Sequence, residues 1–336
     1  MSVRVIGAGL QTTVQDLGRP AHMRQGIPGG GAMDRRACRV ANLLVGNDER
    51  AAVLEAALIG PSIEFHATTL IAVAGGDLEA SIDGTRLPVW HAALVPAGAT
   101  LRLGAATTGC RAYVAFAGGI DVPCVFESRS TYLRAAFGGV DGRAIRAGDV
   151  VGLGEPSSMS RHIAASLARE NGAVGIAHWS AGATLRPAYS VEPTVRLLDG
   201  THTSLLSEPS RQRLFTERFR ISASSDRMGY RLEGTPLSLE RPIELLSEAV
   251  AFGTMQLPPG GAPIVLMADR QTTGGYPRIG EVASVDLPLI AQLKPGDFVR
   301  FEPISLDDAQ ALYLAQEAEL AQARAGLEWR FSRGTT

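Results

Sequence analysis

Short runs of β-branched and aromatic residues, each closed by Gly, Pro or Asp, recur along the chain and constrain its fold more than any other feature. Thr69–Ala74, Arg111–Phe116, Thr194–Leu198, Phe219–Ile221, Pro263–Met267 and Phe298–Phe301 read as strands. Phe219 with Ile221, and Val299 with Phe301, alternate with polar residues, so one face of each strand is buried and the other is not. Many such strands joined by tight turns predict a barrel or sandwich rather than a doubly wound parallel sheet. Helices are few. Ala37, Val40, Ala41 and Leu44 share a helical face over 34–45, with Asp34 at the N-cap and Gly46 past the end. A second helix is expected over 305–325, opened by Ser305 and Asp308 at capping-box spacing, with shorter ones near 160–169 and 207–215.

A length of 336 residues with 45% apolar content suits two domains of ordinary size. The expected division is an N-terminal domain over 1–154, a connecting segment over 155–191, a C-terminal domain over 192–304, and a helix and tail over 305–336. Ala147–Val151, near the end of the first half, echoes Pro295–Val299 near the end of the second, which suggests two related halves.

Composition removes several classes of function. A net charge of −2 gives no global attraction to nucleic acid or anionic membrane. No apolar run approaches the roughly 20 residues of a membrane span, and the first residues lack a signal-peptide core, so the cytoplasm is the expected compartment. Three cysteines (Cys38, Cys110 and Cys124), without CxxC spacing, indicate neither a disulfide framework nor a zinc ribbon. Of 32 basic residues, all but Lys294 are arginines, and Lys294 sits in the Leu293–Asp297 turn. A P-loop, a Schiff base or a biotinylated lysine in this chain is therefore not expected. His22, His66, His91, His162, His178 and His202 are scattered, and no metal site is predicted. His178 stands where a nucleophile elbow around Ser180 needs glycine, and no dinucleotide fingerprint is present.

Four segments are too rich in glycine, hydroxyl and charge for ordinary core strand. Thr12–Arg19 runs on to Gly29-Gly30-Gly31-Ala32-Met33-Asp34, where glycine amides before a helix could face an anion; the bland reading is a turn with Asp34 as a cap. Ser128–Tyr132, leading to Phe137-Gly138-Gly139, is either a hydroxyl-rich binding loop or a polar connection. Ser224–Leu232 contains adjacent Asp226 and Arg227, each of which must seek another partner, structural or functional. The fourth, Asp269-Arg270-Gln271-Thr272-Thr273-Gly274-Gly275-Tyr276-Pro277, follows a strand directly. Its carboxylate, guanidinium, hydroxyls and open glycine amides suit a carboxylate, phosphate or carbamoyl group, with Thr254–Pro258 and Ser247-Glu248 as further lining.

In these segments, and in Ala41-Asn42 with Val45-Gly46-Asn47, the chain resembles the allophanate hydrolase subunit 2 family, also called the biotin-dependent carboxyltransferase family. That group includes the C subunit of the bacterial ATP-dependent 5-oxoprolinase and the urea amidolyase-related proteins. The resemblance spans about residues 8–305 and departs from the pattern at Glu127, where glycine is expected before Ser128. It implies a mainly β fold of two tandem cyclophilin-like β-barrel domains with a few short helices. It also implies two partners. One is a kinase-inhibitor-related protein of the allophanate hydrolase subunit 1 type, equivalent to the B subunit of 5-oxoprolinase. The other is its lactam-utilisation-type A subunit.

On this reading ATP drives opening of the 5-oxoproline lactam to glutamate at the level of the complex. Arg270 would meet a substrate carboxylate or phosphorylated intermediate, Thr272 and Thr273 would stabilise oxyanion charge, and Asp269 or Asp226 would orient or deprotonate the nucleophile. Gly274, Gly275, Tyr276, Arg227, Gln256, Ser130, Thr131, Gly30, Gly31 and Asp34 would bind substrate. The alternatives are a carboxyltransferase acting on urea or a urea-like amide with biotin carried by a partner, and a regulatory protein that docks a kinase inhibitor.

Overall fold

The six strands expected from the sequence all form, most of them a residue or more longer or shorter than read, in a computed structural model that describes residues 1–169, 173–241 and 243–332. Residues 170–172 of the expected connecting segment and 333–336 of the expected tail lie outside those described. The architecture is mainly β.

Chain contacts divide the molecule into two units. The first comprises Met1–Gly18, Asp34–Pro187 and Glu317–Thr336; the second comprises Arg19–Met33 and Ala188–Gln316. This differs from the division expected at 154 and 192. Residues 19–33 leave the N-terminal half for the second unit, and the expected connecting segment mostly packs with the first.

In the first unit two six-stranded sheets enclose one core. One sheet orders Val150–Gly152, Ser2–Gly7, Ser62–Phe65, Thr100–Arg102, Ser81–Ile82 and Thr85–Arg86. The other orders Gly175–Ser180, His91–Val95, Thr69–Asp77, Thr108–Phe116, Val53–Ala57 and Gln11–Gln15. Val3, Leu54, Ile63, Phe65, Ile71, Val114 and Phe116, all essentially buried, join the two faces. Thr69–Asp77 and Thr108–Phe116 are buried almost throughout, which is why they read as continuous apolar runs.

The second unit contains a closed barrel of Thr194–Leu198, Arg278–Val282, Thr254–Gln256, Ile264–Leu266, Gly229–Glu233, Arg218–Ile221 and Phe298–Pro303. Closure comes from parallel pairing of Thr194–Leu198 with Phe298–Pro303; the other neighbours are antiparallel. Val195, Leu197, Phe219, Ile221, Val299 and Phe301 point inward, as their alternation requires.

The echo between the halves is a repeated turn. Gly148 and Gly296 both take positive φ, +93° and +96°. Asp149 Oδ2 accepts from the Arg146 amide at 2.7 Å, and Asp297 Oδ2 accepts from the Lys294 amide at 3.0 Å. In each case a strand starts within two residues.

Helix Arg35–Leu44 opens with Asp34 accepting from the Ala37 amide at 2.9 Å, and Gly46 past its end has φ +72°. The C-terminal helix, expected over 305–325, forms and runs on to span Leu306–Ser332, 27 residues. Its Ala-, Leu-, Gln- and Glu-rich sequence has no proline to stop it, and the single Gly326 costs about 1 kcal/mol, too little to break it. Within the first unit its later turns are held by ion pairs of Arg39 with Glu317 and Arg36 with Glu319, and by Phe331 against Trp179.

Candidate functional site

The two residues that open the fourth segment are buried at a strand end of the barrel. Asp269 and Arg270 follow Ile264–Leu266 and are 4% and 6% exposed, whereas Thr273, Gly275 and Tyr276 farther along are exposed. The segment is therefore anchored inside and open at its tip. Thr273–Gly274 pairs with Glu248–Ala249, and the Val250 amide donates to the Thr272 carbonyl at 3.2 Å. The expected lining residues thus do border this segment: Gln256 lies beneath Gly274, where an added Cβ would stand 2.5 Å from its Nε2. Gln271 Nε2 donates to Gln256 Oε1 at 3.4 Å.

Arg227 and Asp269, 42 positions apart, form a two-point ion pair. Arg227 Nε donates to Asp269 Oδ2 at 2.9 Å and Nη2 to Oδ1 at 3.0 Å, with both side chains under 9% exposed. The backbones join as well, the Asp269 amide donating to the Arg227 carbonyl at 2.8 Å. Arg227 Nη2 also donates to the Gly31 carbonyl at 2.7 Å, and the Gly30 amide donates to the Ala268 carbonyl at 3.1 Å. The glycine run of residues 29–31 thereby belongs to the same cluster. Gly30 takes φ +61°, and a Cβ there would stand 3.3 Å from Arg19 Nη1 and 3.8 Å from Asp269 Oδ1. The positive φ favours glycine, and a side chain there would press on the end of Arg19.

Arg270 lies alongside. Its Nε donates to the Val250 carbonyl at 3.3 Å, its Nη2 approaches the Met23 sulfur at 3.7 Å, and its guanidinium sits 5.9 Å from the Phe252 ring centroid. Three buried arginines, Arg19, Arg227 and Arg270, thus belong to this end of the second unit, and Arg227 is the one paired with Asp269.

Other expected site residues have different duties. Asp226 is not among the buried residues and accepts from the Met228 and Gly229 amides at 2.8 and 3.3 Å, a turn that leads into Gly229–Glu233. Asp34 places its own carboxylate at the start of helix Arg35–Leu44, so that helix end already holds an anion. The Asp34 amide donates to the Tyr113 hydroxyl oxygen at 2.7 Å, and the same hydroxyl donates to Glu55 at 2.9 Å. Burial, together with Glu55 and Asp34, pushes the Tyr113 hydroxyl and the buried Cys38 thiol well above their usual ranges, so both stay protonated.

Ser130 and Thr131 are fully buried in the first unit. Ser130 and Ser128 donate their hydroxyls to Asp16, whose other oxygen accepts from the Arg129 amide at 2.6 Å; Gly18 donates a further amide at 2.7 Å. Thr131 Oγ1 donates to the Val14 carbonyl at 3.1 Å. The hydroxyls of this motif are spent on locking Gln11–Gln15 and its exit in place. Glu127, the departure from the family pattern, has φ +61°. The backbone keeps the left-handed turn that glycine would take freely. Glu127→Gly is expected to raise stability by about 0.5–1 kcal/mol in urea unfolding, with the relief of left-handed strain exceeding glycine's entropy cost.

Sequence reasoning did not single out Glu281, and named its partner Thr254 only within the expected lining Thr254–Pro258. Thr254 and Glu281 are opposite one another on adjacent strands, and Thr254 Oγ1 lies 3.0 and 2.9 Å from the two carboxylate oxygens. Burial pushes the Glu281 carboxyl above the usual glutamate range, against the pull of the Thr254 hydroxyl and of the Arg278 and Arg270 guanidiniums. Its charge inside an alternating strand was the only available signal. Among the described residues no group of three or more His, Cys, Asp or Glu side chains is arranged to hold a metal ion, and no helix is long and apolar enough to cross a membrane.

A family profile described as carboxyltransferase domain, subdomain A and B, matches residues 25–303. The 5-oxoprolinase C subunit of Escherichia coli is 36% identical over 330 residues, covering 98% of both chains. The corresponding 5-oxoprolinase C subunit of Haemophilus influenzae is 34% identical over 322 residues, 96% of this chain and 97% of that protein. The urea amidolyase of Saccharomyces cerevisiae is 32% identical over 333 residues, which is 95% of this chain but 17% of that protein. Among solved structures, the urea amidolyase of Kluyveromyces lactis superposes with a TM-score of 0.86 at 30% identity, covering 96% of this chain and 20% of the other.

Proposed function

The chain belongs to the carboxyltransferase domain family, subdomains A and B, and from that premise we propose that it is the C subunit of a heteromeric ATP-dependent 5-oxoprolinase. The assembly would open the 5-oxoproline lactam to glutamate in the cytoplasm, together with a kinase-inhibitor-related B subunit, and with a lactam-utilisation-type A subunit. The observation that carries this reading is end-to-end correspondence with two proteins of that name, at 34% and 36% identity.

The arginine cluster supports it chemically. Both the substrate carboxylate and any phosphorylated form of the lactam are anions, and a buried guanidinium recognises either one strongly. Arg270 is the proposed anion contact. Arg227, Asp269, Gly30 and Gly31 hold that end of the barrel together, while Thr272, Thr273, Gly274 and Gly275 face the developing oxyanion, with Gln256 and Tyr276 bordering the substrate. ATP is a substrate of the assembly, and with no P-loop lysine the contribution of this chain to phosphate binding would be arginine and backbone amide.

Kinship with urea amidolyase favours one competing reading, carboxyl transfer to urea from biotin carried on a partner. Co-expression with the partner subunits, followed by assay for ADP and product, separates the two. The proposal expects glutamate from 5-oxoproline in step with ATP consumption. Carboxylation of urea that depends on a biotinylated partner, with no glutamate formed, would overturn it.

A further inference from the structure

We propose that Glu281 is the proton carrier of the lactam-opening reaction, an inference that rests on the function proposed above. Amide hydrolysis needs a group that takes a proton from water and returns it to nitrogen. The two acids expected in that role are otherwise engaged. Asp269 is held at both oxygens by Arg227, and Asp226 closes a turn through the Met228 and Gly229 amides.

Glu281 differs from both. It is partly buried on strand Arg278–Val282, and its hydrogen-bond partner among the described residues is the Thr254 hydroxyl, whose one proton serves two carboxylate oxygens. Among the described residues no ion pair holds it: Arg278 on its own strand is taken by Glu248 and the Ala249 carbonyl. The neighbouring elements bring few competing charges. Leu198 lies opposite on Thr194–Leu198, whose Arg196 is committed to Asp286; Thr254–Gln256 offers Thr254 and Gln256; the 269–277 segment brings Arg270. Thr254, which holds Glu281, and Gln256, which lies beneath Gly274 and meets Gln271, stand two positions apart on one strand, so the strand face that holds Glu281 also meets the segment carrying the proposed anion contact. Burial raises its carboxyl, the direction in which a glutamate holds a proton more readily than an exposed one.

Water oxygen forms a bond to the lactam carbonyl carbon while one of its protons passes to the Glu281 carboxylate. The carbon–nitrogen bond then breaks with its electron pair moving to nitrogen, and Glu281 returns the proton there. Glu281 ends unchanged, and ATP cleavage to ADP and phosphate by the assembly supplies the driving force.

The test uses the complete assembly with Glu281→Gln and Glu281→Asp. Glu281→Gln is expected to lower kcat by about 100-fold or more with KM changed less than about threefold, while Glu281→Asp recovers part of the loss and shifts the pH profile. Thermal melting guards against a structural explanation. A raised carboxyl pKa means that ionised Glu281 costs stability above it, a cost that disappears once pH falls below the unfolded-state value. Glu281→Gln should therefore melt at or above wild type at about pH 7.5, the two converging near about pH 4. Retention of kcat within about threefold, or melting several degrees below wild type at that higher pH, overturns the role of Glu281 and leaves the functional reading standing. A wild-type assembly inactive on 5-oxoproline overturns both.

Discussion

Arg227→Ala is expected to cost about 3–5 kcal/mol of stability and to abolish turnover in the assembly. The loss has two parts. Asp269, 4% exposed, would be left as a buried carboxylate stripped of its two-point partner, and the Gly31 carbonyl would lose its donor. Arg227→Lys should recover little, because an ammonium cannot meet both Asp269 oxygens and the carbonyl in one plane. Asp269→Asn should be milder, since it removes the charge that Arg227 balances but keeps an acceptor. Urea unfolding of the four proteins orders them wild type, Asp269→Asn, Arg227→Lys, Arg227→Ala; equal midpoints for wild type and Arg227→Ala would mean that the pair contributes nothing.

Arg270→Met should separate function from fold. Methionine preserves much of the volume against Phe252 and Met23 and removes the charge together with its bond to the Val250 carbonyl. Stability should fall by about 1–2 kcal/mol. Turnover should fall by about 10²–10³, the usual loss when one preorganised charge-stabilising donor is removed. The split between small structural and large kinetic effect is the signature sought.

The strands were legible because most of the barrel is local alternation. Phe219 with Ile221 and Val299 with Phe301 point inward as spacing demands. The boundaries were less legible because they depend on contacts distant in sequence. Nothing local in residues 19–33 announces that Gly30 and Gly31 will bond to Ala268 and Arg227, so the segment read as part of the N-terminal half. The same distance hid the partner of Arg227, 42 positions away.

Within the site, residue type announced chemistry but not engagement. Asp226 and Asp269 look alike as acids, yet one caps a turn and the other locks an arginine. Ser130 looked like a ligand hydroxyl and is consumed by Asp16, because a buried carboxylate near a strand end recruits every donor within reach. Glu281 went unmarked for the opposite reason: its strand is short and ordinary, and its character comes from burial beside Thr254. Glu127 illustrates a third limit. Family pattern implied glycine there, and the backbone retains the φ of +61° although the side chain has changed.

The most direct measurement is glutamate released from 5-oxoproline per ADP formed by the co-expressed assembly, with wild-type chain and with Arg270→Met. The account predicts coupled release with the wild type and a fall of about 10²–10³ with the variant. Wild-type and variant assemblies turning over at the same rate, or ATP consumption without any glutamate, would contradict it.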